Sequence, residues 1–380
     1  MPVLRCSSCG CSYDHRDPVW KCIQCGGLLD LEMDFGFTMD MIDCAVPGLW
    51  RYHRALPVPL SKAVTFHEGM TPLTAFPVDD REVYLKHDHL FQTGSYKDRG
   101  ATVLVSHIQT LGIRNVVEDS SGNAGCAIAA YCAKANIACE IFVPEKTAPA
   151  KLSQLKLYGA FIRKIPGSRE ETASAAQIAA KDTYYASHCW NPFFFHGTKT
   201  FAYEVWEQLD GRAPDVLVLP VGNGTLLLGA IIGFSELLLG GAIQKLPRII
   251  GVQSAACNPL ERMFQYPGAD FDSTTGQETL AEGIAIARPV RAKQILRALK
   301  DSQGTIVSVS DDEIKAALRK LGKMGLYVEP TGAAAMAAFD QAVNFSSKRE
   351  TIVIALTGHG LKAAEKLDRI LSLPGSTAQG

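Results

Sequence analysis

From about residue 83 onward, short runs of Val, Ile and Leu alternate with longer Ala-rich stretches whose apolar positions recur at helical spacing. The runs are VYLKH from 83, NVVED from 115, ACEIFVP from 138, FIRKIP from 161, DVLVLP from 215, RIIGVQ from 248, TIVSVS from 305 and TIVIALT from 351. Between them the spacing predicts helices over 97–110, 124–135, 148–158, 169–182, 198–209, 225–239, 311–322, 331–343 and 360–371. Such alternation predicts an α/β fold of parallel or mixed sheets covered on both faces. The pattern pauses at Cys189-Trp190-Asn191-Pro192 and then restarts, so two α/β domains are expected. The boundaries assign 93–189 to a smaller domain and 33–92 plus 190–372 to a larger one. Residues 1–32 lack a long periodic segment and read as a separate module.

The stretch from Gly224 to Ile243 is apolar enough to suggest a membrane span, yet it holds Glu236, Ser235 and five glycines. It follows a Val/Leu strand and a glycine turn, which makes a buried helix the better reading. Lys and Arg number 38 against 39 Asp and Glu, a net charge of -1, so neither nucleic acid nor an anionic membrane is an expected partner. The 11 cysteines, an odd number without an apolar signal core before them, suit a reducing cytoplasm better than a disulfide framework.

Four of those cysteines change the picture of the first module. Cys6-Ser7-Ser8-Cys9-Gly10 and Cys22-Ile23-Gln24-Cys25-Gly26 are two C-x-x-C knuckles separated by twelve residues. Tetrahedral zinc takes four thiolates from two tight turns, and a glycine after each pair lets the backbone amides turn toward sulfur. The spacing predicts a closed, structural zinc ribbon with Cys6, Cys9, Cys22 and Cys25 as ligands. Arg5, Arg16 and Lys21 are balanced there by Asp14, Asp17 and Asp30, which argues against phosphate reading.

Three loops carry candidate chemistry. Thr93-Gly94-Ser95-Tyr96-Lys97-Asp98-Arg99-Gly100 places a lysine at the front of a helix, near the positive dipole end, where an amine nucleophile is favoured. On charge pattern alone, Lys-Asp-Arg reads as a solvated helix start. Ser120-Ser121-Gly122-Asn123-Ala124-Gly125 follows a strand and opens a helix, forming a nest of amides for a carboxylate. Val221-Gly222-Asn223-Gly224-Thr225 does the same after another strand and suits a phosphate. Each is a common turn alone; together they put a lysine, a carboxylate nest and a phosphate cradle at strand C-terminal ends.

TGSYKDRG, SSGN, VGNGT and LTGHGLK, in that order, resemble fold-type II pyridoxal phosphate enzymes of the tryptophan synthase β-like fold, and most of all the threonine synthases. The likeness extends to the N-terminal knuckles, to Glu68-Gly69-Met70-Thr71-Pro72-Leu73 and to Gly197-Thr198-Lys199-Thr200 with Glu204. It implies pyridoxal 5'-phosphate as cofactor, an amino acid as substrate and a homodimer. Lys97 would be the Schiff-base lysine, and Asn123 would hydrogen-bond the ring hydroxyl. Ser120, Ser121 and Gly122 would cup the substrate carboxylate. Gly222, Asn223, Gly224 and Thr225 would hold the cofactor phosphate, and Thr357 would meet the pyridine nitrogen. His359, flanked by glycines, reads as a hydrogen-bonding residue sooner than a base. Arg99, Lys146 and Lys151 are the basic residues nearest the motifs and so the candidates for a leaving phosphate.

The chain departs from the threonine synthase pattern at Phe91-Gln92, where Asn-Pro is usual, and at Ala363, where Asp is usual. Thr279 to Ala285 is closer to the dehydratases. The implied reaction converts O-phospho-L-homoserine and water to threonine and phosphate. The alternatives are a threonine or serine ammonia-lyase, a synthase replacing the phosphate of O-phosphoserine with sulfite, and, in another class, a catalytically silent zinc-ribbon binding protein.

Overall fold

The computed structural model describes residues 2–77, 81–147, 149–268 and 278–371. In chain order the strands and helices begin with β1 (Val3–Cys6), β2 (Ser12–Asp14), β3 (Leu29–Glu32), β4 (Leu73–Ala75), β5 (Val83–Lys86), α1 (Lys97–Thr110), β6 (Asn115–Glu118), α2 (Asn123–Lys134), β7 (Ala138–Pro144) and α3 (Pro149–Leu157). They continue with β8 (Phe161–Ile165), α4 (Arg169–Ala179), β9 (Tyr184–Tyr185), α5 (Pro192–Thr198), α6 (Thr200–Gln208), β10 (Val216–Pro220), α7 (Thr225–Leu239), β11 (Arg248–Ser254) and α8 (Pro259–Gln265). The last are α9 (Ala292–Asp301), β12 (Thr305–Val309), α10 (Asp311–Lys323), α11 (Pro330–Ala337), α12 (Phe339–Asn344), β13 (Ile352–Ala355) and α13 (Ala364–Leu371).

Three sheets result. The N-terminal module is antiparallel, ordered β2-β1-β3, with Leu4 opposite Leu31 and Tyr13. A four-stranded sheet, β8-β7-β6-β9, is parallel throughout. A six-stranded sheet runs β12-β11-β10-β13-β5-β4, with only β4 antiparallel. All five residues of β10 and all four of β13 are buried, as strands covered on both faces require. Val218, Val252, Ile352 and Ile354 pack with Ala333, Ala334, Ala335 and Met336 of α11, whose small side chains let the helix sit close to the strands.

The contacts divide the chain into two compact units. One comprises 1–70, 91–213 and 228–246; the other comprises 71–90, 214–227 and 247–380. Residues 33–70 and 190–213 thus group with the 93–189 segment and not, as the boundary at Cys189 predicts, with the larger sheet. The reason is packing on α1. Trp50 Nε1 donates to Thr102 Oγ1 at 2.9 Å, and α5 lies against α1 so closely that a Cβ on Gly197 would stand 2.0 Å from the Arg99 carbonyl oxygen. The expected end of the larger domain, at 372, lies outside the described residues.

The predicted strands are all present, and the helix expected over 148–158 is α3, with residue 148 outside the described residues. The helix expected over 331–343 is broken into α11 and α12 at Ala338, and that over 360–371 starts as a 3-10 turn at Gly360–Ala363. The apolar stretch from Gly224 forms α7, and among the described residues no helix is long and apolar enough to cross a membrane.

The fold yields a pair of opposed expectations. Gly197→Ala forces α5 off α1 and lowers unfolding free energy by about 1–3 kcal/mol, as overpacking against backbone does. Gly322, exposed in α10 with nothing near its missing Cβ, behaves oppositely. Gly322→Ala raises stability by up to about 1 kcal/mol. Denaturant melts of both variants check the signs.

Candidate functional site

Lys97 is the first residue of α1, and its neighbours fix where that helix begins. The Asp98 carboxylate is fully buried; it accepts the Thr93 backbone N–H at 2.9 Å and also the Thr93 hydroxyl. Gln154 Nε2 donates to the Thr93 carbonyl at 3.1 Å. Arg99 is also fully buried, its Nη1 2.8 Å from Glu204 Oε2 and its guanidinium 4.9 Å from the Phe91 ring centroid. The Lys-Asp-Arg run is therefore no solvated helix start. Arg99 is also withdrawn as a candidate for a leaving phosphate, because its charge is spent on Glu204. Lys146 is exposed, and the Lys151 side chain lies outside the described residues. Lys97 itself is half-buried, its Nζ 4.6 Å from the Tyr96 ring and 5.7 Å from the Phe194 ring.

The serine loop lies in the same unit. β6 ends at Glu118 and α2 begins at Asn123, with Ser120, Ser121 and Gly122 between them. The chain closes on itself because Gly125 carries no Cβ: one would sit 1.8 Å from the Ser120 carbonyl oxygen. The Gly122 N–H donates to Ser120 Oγ at 3.3 Å, and Gly122 is exposed. α1 and α2, whose first residues are Lys97 and Asn123, pack against each other.

Sequence reasoning missed what stands at the foot of this loop. Glu118 Oε1 is 2.7 Å from His188 Nδ1, and the Tyr185 hydroxyl donates to Asp119 Oδ1 at 2.8 Å. Burial pushes the Glu118 carboxyl up to about 8, against the pull of the Lys97 ammonium. Burial and the Glu118 charge push Asp119 up to about 6, while burial and Lys97 push His188 down to about 3. Two acids ending a buried strand, in NVVED, were the available signal.

The second unit carries the other motifs. β10 and β13 are parallel neighbours, Val216 beside Ile352, so the loops at their C-terminal ends adjoin. Gly224 has φ +70° and faces Ile295, whose Cδ1 would be 2.4 Å from a Cβ there; one on Gly222 would be 3.0 Å from Ile284 Cα. Only glycine leaves this turn open at the start of α7, where backbone amides and the helix dipole favour an anion. Thr225 is buried and Asn223 half-buried. Thr357 is 1% exposed, and its Oγ1 has no hydrogen-bond partner among the described residues. His359 Nδ1 accepts the Leu361 N–H at 3.2 Å, a local cap. His89 stands 5.8 Å from it, ring to ring, and is pushed down to about 4 by burial and by the neighbouring histidines.

In the N-terminal module the four candidate thiol sulfurs lie within 4.8 Å of one another. Cys6 Sγ is 3.5 Å from Cys25 Sγ, and Cys9 Sγ is 3.6 Å from Cys22 Sγ. Zinc–sulfur bonds of about 2.3 Å in a tetrahedron separate the sulfurs by about 3.8 Å, so the cluster has the right size. A Cβ on Gly27 would approach Cys6 Sγ to 3.0 Å and Cys25 Sγ to 3.1 Å, and the Ser8 N–H points to Cys6 Sγ at 3.4 Å. The Tyr13 hydroxyl, 3.1 Å from Cys22 Sγ, holds that thiol down to about 6.

The profile of the family described as pyridoxal-phosphate dependent enzyme matches residues 64–358. The chain is 34% identical over 372 residues to the threonine synthase of Methanosarcina acetivorans, covering 94% of this chain and 92% of that one. It is 34% identical over 376 residues to the threonine synthase of Methanocaldococcus jannaschii, covering 95% and 93%. Among solved structures, the L-serine ammonia-lyase of Rhizomucor miehei superposes with a TM-score of 0.69 at 20% identity, over 79% of this chain and 96% of that one. With its lysine at the head of α1 and its glycine loop at the head of α7, the chain belongs to the pyridoxal-phosphate dependent enzymes, on their threonine synthase branch.

Proposed function

We propose that this chain converts O-phospho-L-homoserine and water to L-threonine and phosphate, using pyridoxal 5'-phosphate, as a cytoplasmic homodimer with a structural zinc in its N-terminal ribbon. The observation that carries the reaction is the end-to-end likeness to threonine synthases, above nine-tenths of either chain. The residues fit the cofactor. Thr357 offers a buried hydroxyl in want of a partner, and Gly222 and Gly224 leave a cradle that any Cβ would fill.

When bound, pyridoxal phosphate supplies an electron-withdrawing ring that acidifies the substrate protons near the amine. The chain does the rest. Lys97 would hold the cofactor through its amine and, with substrate bound, would move protons at the substrate's Cα and Cβ. Ser120, Ser121 and Gly122 hold the substrate carboxylate with backbone amides and hydroxyls. Asn123 would hydrogen-bond the ring hydroxyl oxygen. Gly222, Asn223, Gly224 and Thr225 hold the cofactor phosphate at the helix start without a positive side chain. Thr357 would meet the ring nitrogen, where a hydroxyl would leave it unprotonated and a carboxylate would protonate it. The sink is then moderate, suited to elimination and replacement. The four thiolates leave zinc no open position, so the metal holds the fold and takes no part in the reaction.

Incubating the purified protein with O-phosphohomoserine, threonine and serine separately, while measuring phosphate, ammonia and threonine, tests the reaction. Phosphate and threonine in equal amounts from the first substrate are expected. Ammonia from the others without phosphate from the first would replace the reading with an ammonia-lyase.

Borohydride reduction of the cofactor-loaded protein followed by peptide mapping is expected to put the pyridoxyl label on Lys97, and label on another lysine refutes that assignment. Thr357→Val keeps the side-chain shape and weakens cofactor retention by about 0.5–1.5 kcal/mol, the size of one net hydrogen bond. Thr357→Asp retains the cofactor but alters its absorption spectrum and lowers turnover. Wild-type spectra and affinity in both variants would remove Thr357 from the ring nitrogen.

For the ribbon, metal analysis should find one zinc per chain in wild type and none in Cys22→Ala, with a lower melting temperature, because ligand binding and folding energy are one quantity here.

A further inference from the structure

The assignments above leave unused a set of ionisable groups at the C-terminal end of β6. Glu118 is fully buried, and the His188 side chain is 12% exposed; they are joined at 2.7 Å between Oε1 and Nδ1. Glu118 Oε2 is buried and has no hydrogen-bond partner among the described residues. Lys97 and His188 face the same aromatic ring: Lys97 Nζ is 5.7 Å and the His188 imidazole 6.0 Å from the centroid of Phe194. The pair also immediately precedes the serine loop. It therefore stands beside the lysine without being one of the residues assigned to cofactor or substrate.

An ionised carboxylate with an unpartnered oxygen in a dry site is costly, and a carboxyl that keeps its proton removes that cost. The groups facing Glu118 are Lys97 from α1, its neighbour Asp119, His188, Tyr185 on β9 and Cys139 on β7. Lys97 is the cation among them. Burial keeps the shared proton on the carboxyl and the imidazole neutral, so at neutral pH the Glu118 O–H donates to His188 Nδ1. Ionisation of Glu118 then places a negative charge beside Lys97.

We propose that Glu118 and His188 share one proton as a positioning pair for Lys97, with a neutral pair leaving the lysine free to act as an amine and an ionised pair holding it as an ammonium. The pair acts through Lys97 and not on the substrate. This inference rests on Lys97 being the lysine that joins the cofactor.

The test labels Lys97 in the full chain stripped of cofactor, using reductive methylation with formaldehyde between about pH 6 and about pH 10 and peptide mapping of each lysine. In wild type the labelling of Lys97 should rise over a broad range, because two coupled groups titrate together. In Glu118→Gln, which keeps the size and a donor to Nδ1 but cannot ionise, labelling should rise as a single step, with a midpoint lower by about one pH unit. Superimposable profiles for folded wild type and Glu118→Gln would overturn the pair. Should the variant fail to fold, carbon NMR of wild type labelled at the glutamate carboxyls serves instead. Two carboxyls titrating above the ordinary glutamate range are expected, those of Glu118 and Glu236, and fewer than two overturns the proposal. Pyridoxyl mapping of the same wild-type preparation separates the two claims. Label on another lysine refutes the assignment of Lys97, whereas label on Lys97 with unshifted profiles refutes only the pair.

Discussion

The buried ion pair of Arg99 and Glu204 is the constraint on which the unit carrying Lys97 depends. Neither side chain has any exposed surface, so the loss of either partner would strand a charge in the interior, at a cost of about 3–5 kcal/mol. The pair joins the first turn of α1 to α6. It thereby holds in place the short α5 between them, whose Gly197 lies against the Arg99 carbonyl. With Asp98 tied to Thr93 one residue earlier, α1 has a single place to start. Lys97, between Tyr96 and these two anchored residues, inherits its position from them.

The two loops at strand ends solve one steric problem in different ways. At the serine loop the glycine that matters is Gly125, inside the helix, because the loop folds back until Ser120 touches the first turn of α2. At the glycine loop before α7 the glycines lie in the turn itself: Gly224 takes a left-handed φ, and both it and Gly222 are pressed by Ile295, Ile284 and Gly283 from outside. The first arrangement leaves Gly222's counterpart in the serine loop, Gly122, exposed. The second builds a walled turn suited to a group that stays bound.

Most strands and long helices were legible in the sequence because parallel strands buried on both faces read as unbroken Val/Ile runs, as in VLVLP at 216–220. The candidate loops were legible because each joins such a strand to a helix. What was not legible depends on distant partners. The run Lys97-Asp98-Arg99 reads as a solvated helix start until Glu204, 105 residues further on, is brought against Arg99. α5, PFFFHGT, lacks helical periodicity; it forms because Pro192 begins it and Asn191 Oδ1 accepts the Phe193 N–H at 3.1 Å, with α1 covering its aromatic face. β9 is two residues long and gives no pattern. The unit boundaries escape sequence reasoning because each unit is assembled from separated segments, and a break in periodicity at Cys189 marks a turn within one unit.

The N-terminal ribbon has a physical route to the lysine although its thiols are remote from any candidate catalytic role. Trp20, two residues before Cys22, is 7% exposed and meets Tyr185 edge to face at 4.9 Å and Trp190 at 5.5 Å. Leu31 of β3 accepts a hydrogen bond from His196 Nε2 at 3.0 Å, which ties the ribbon to α5 as well. Tyr185 in turn holds Asp119, and the segment between Tyr185 and Trp190 carries His188, the partner of Glu118. The ribbon therefore braces the very stretch that supports the serine loop from beneath. Edge-to-face aromatic contacts contribute about 0.5–1.5 kcal/mol each beyond their buried area, which is enough to bias a short segment but not to fold it. The thiol cluster supplies the remainder: Cys22, gathered with Cys6, Cys9 and Cys25 within 4.8 Å and held by Tyr13, fixes the turn that carries Trp20.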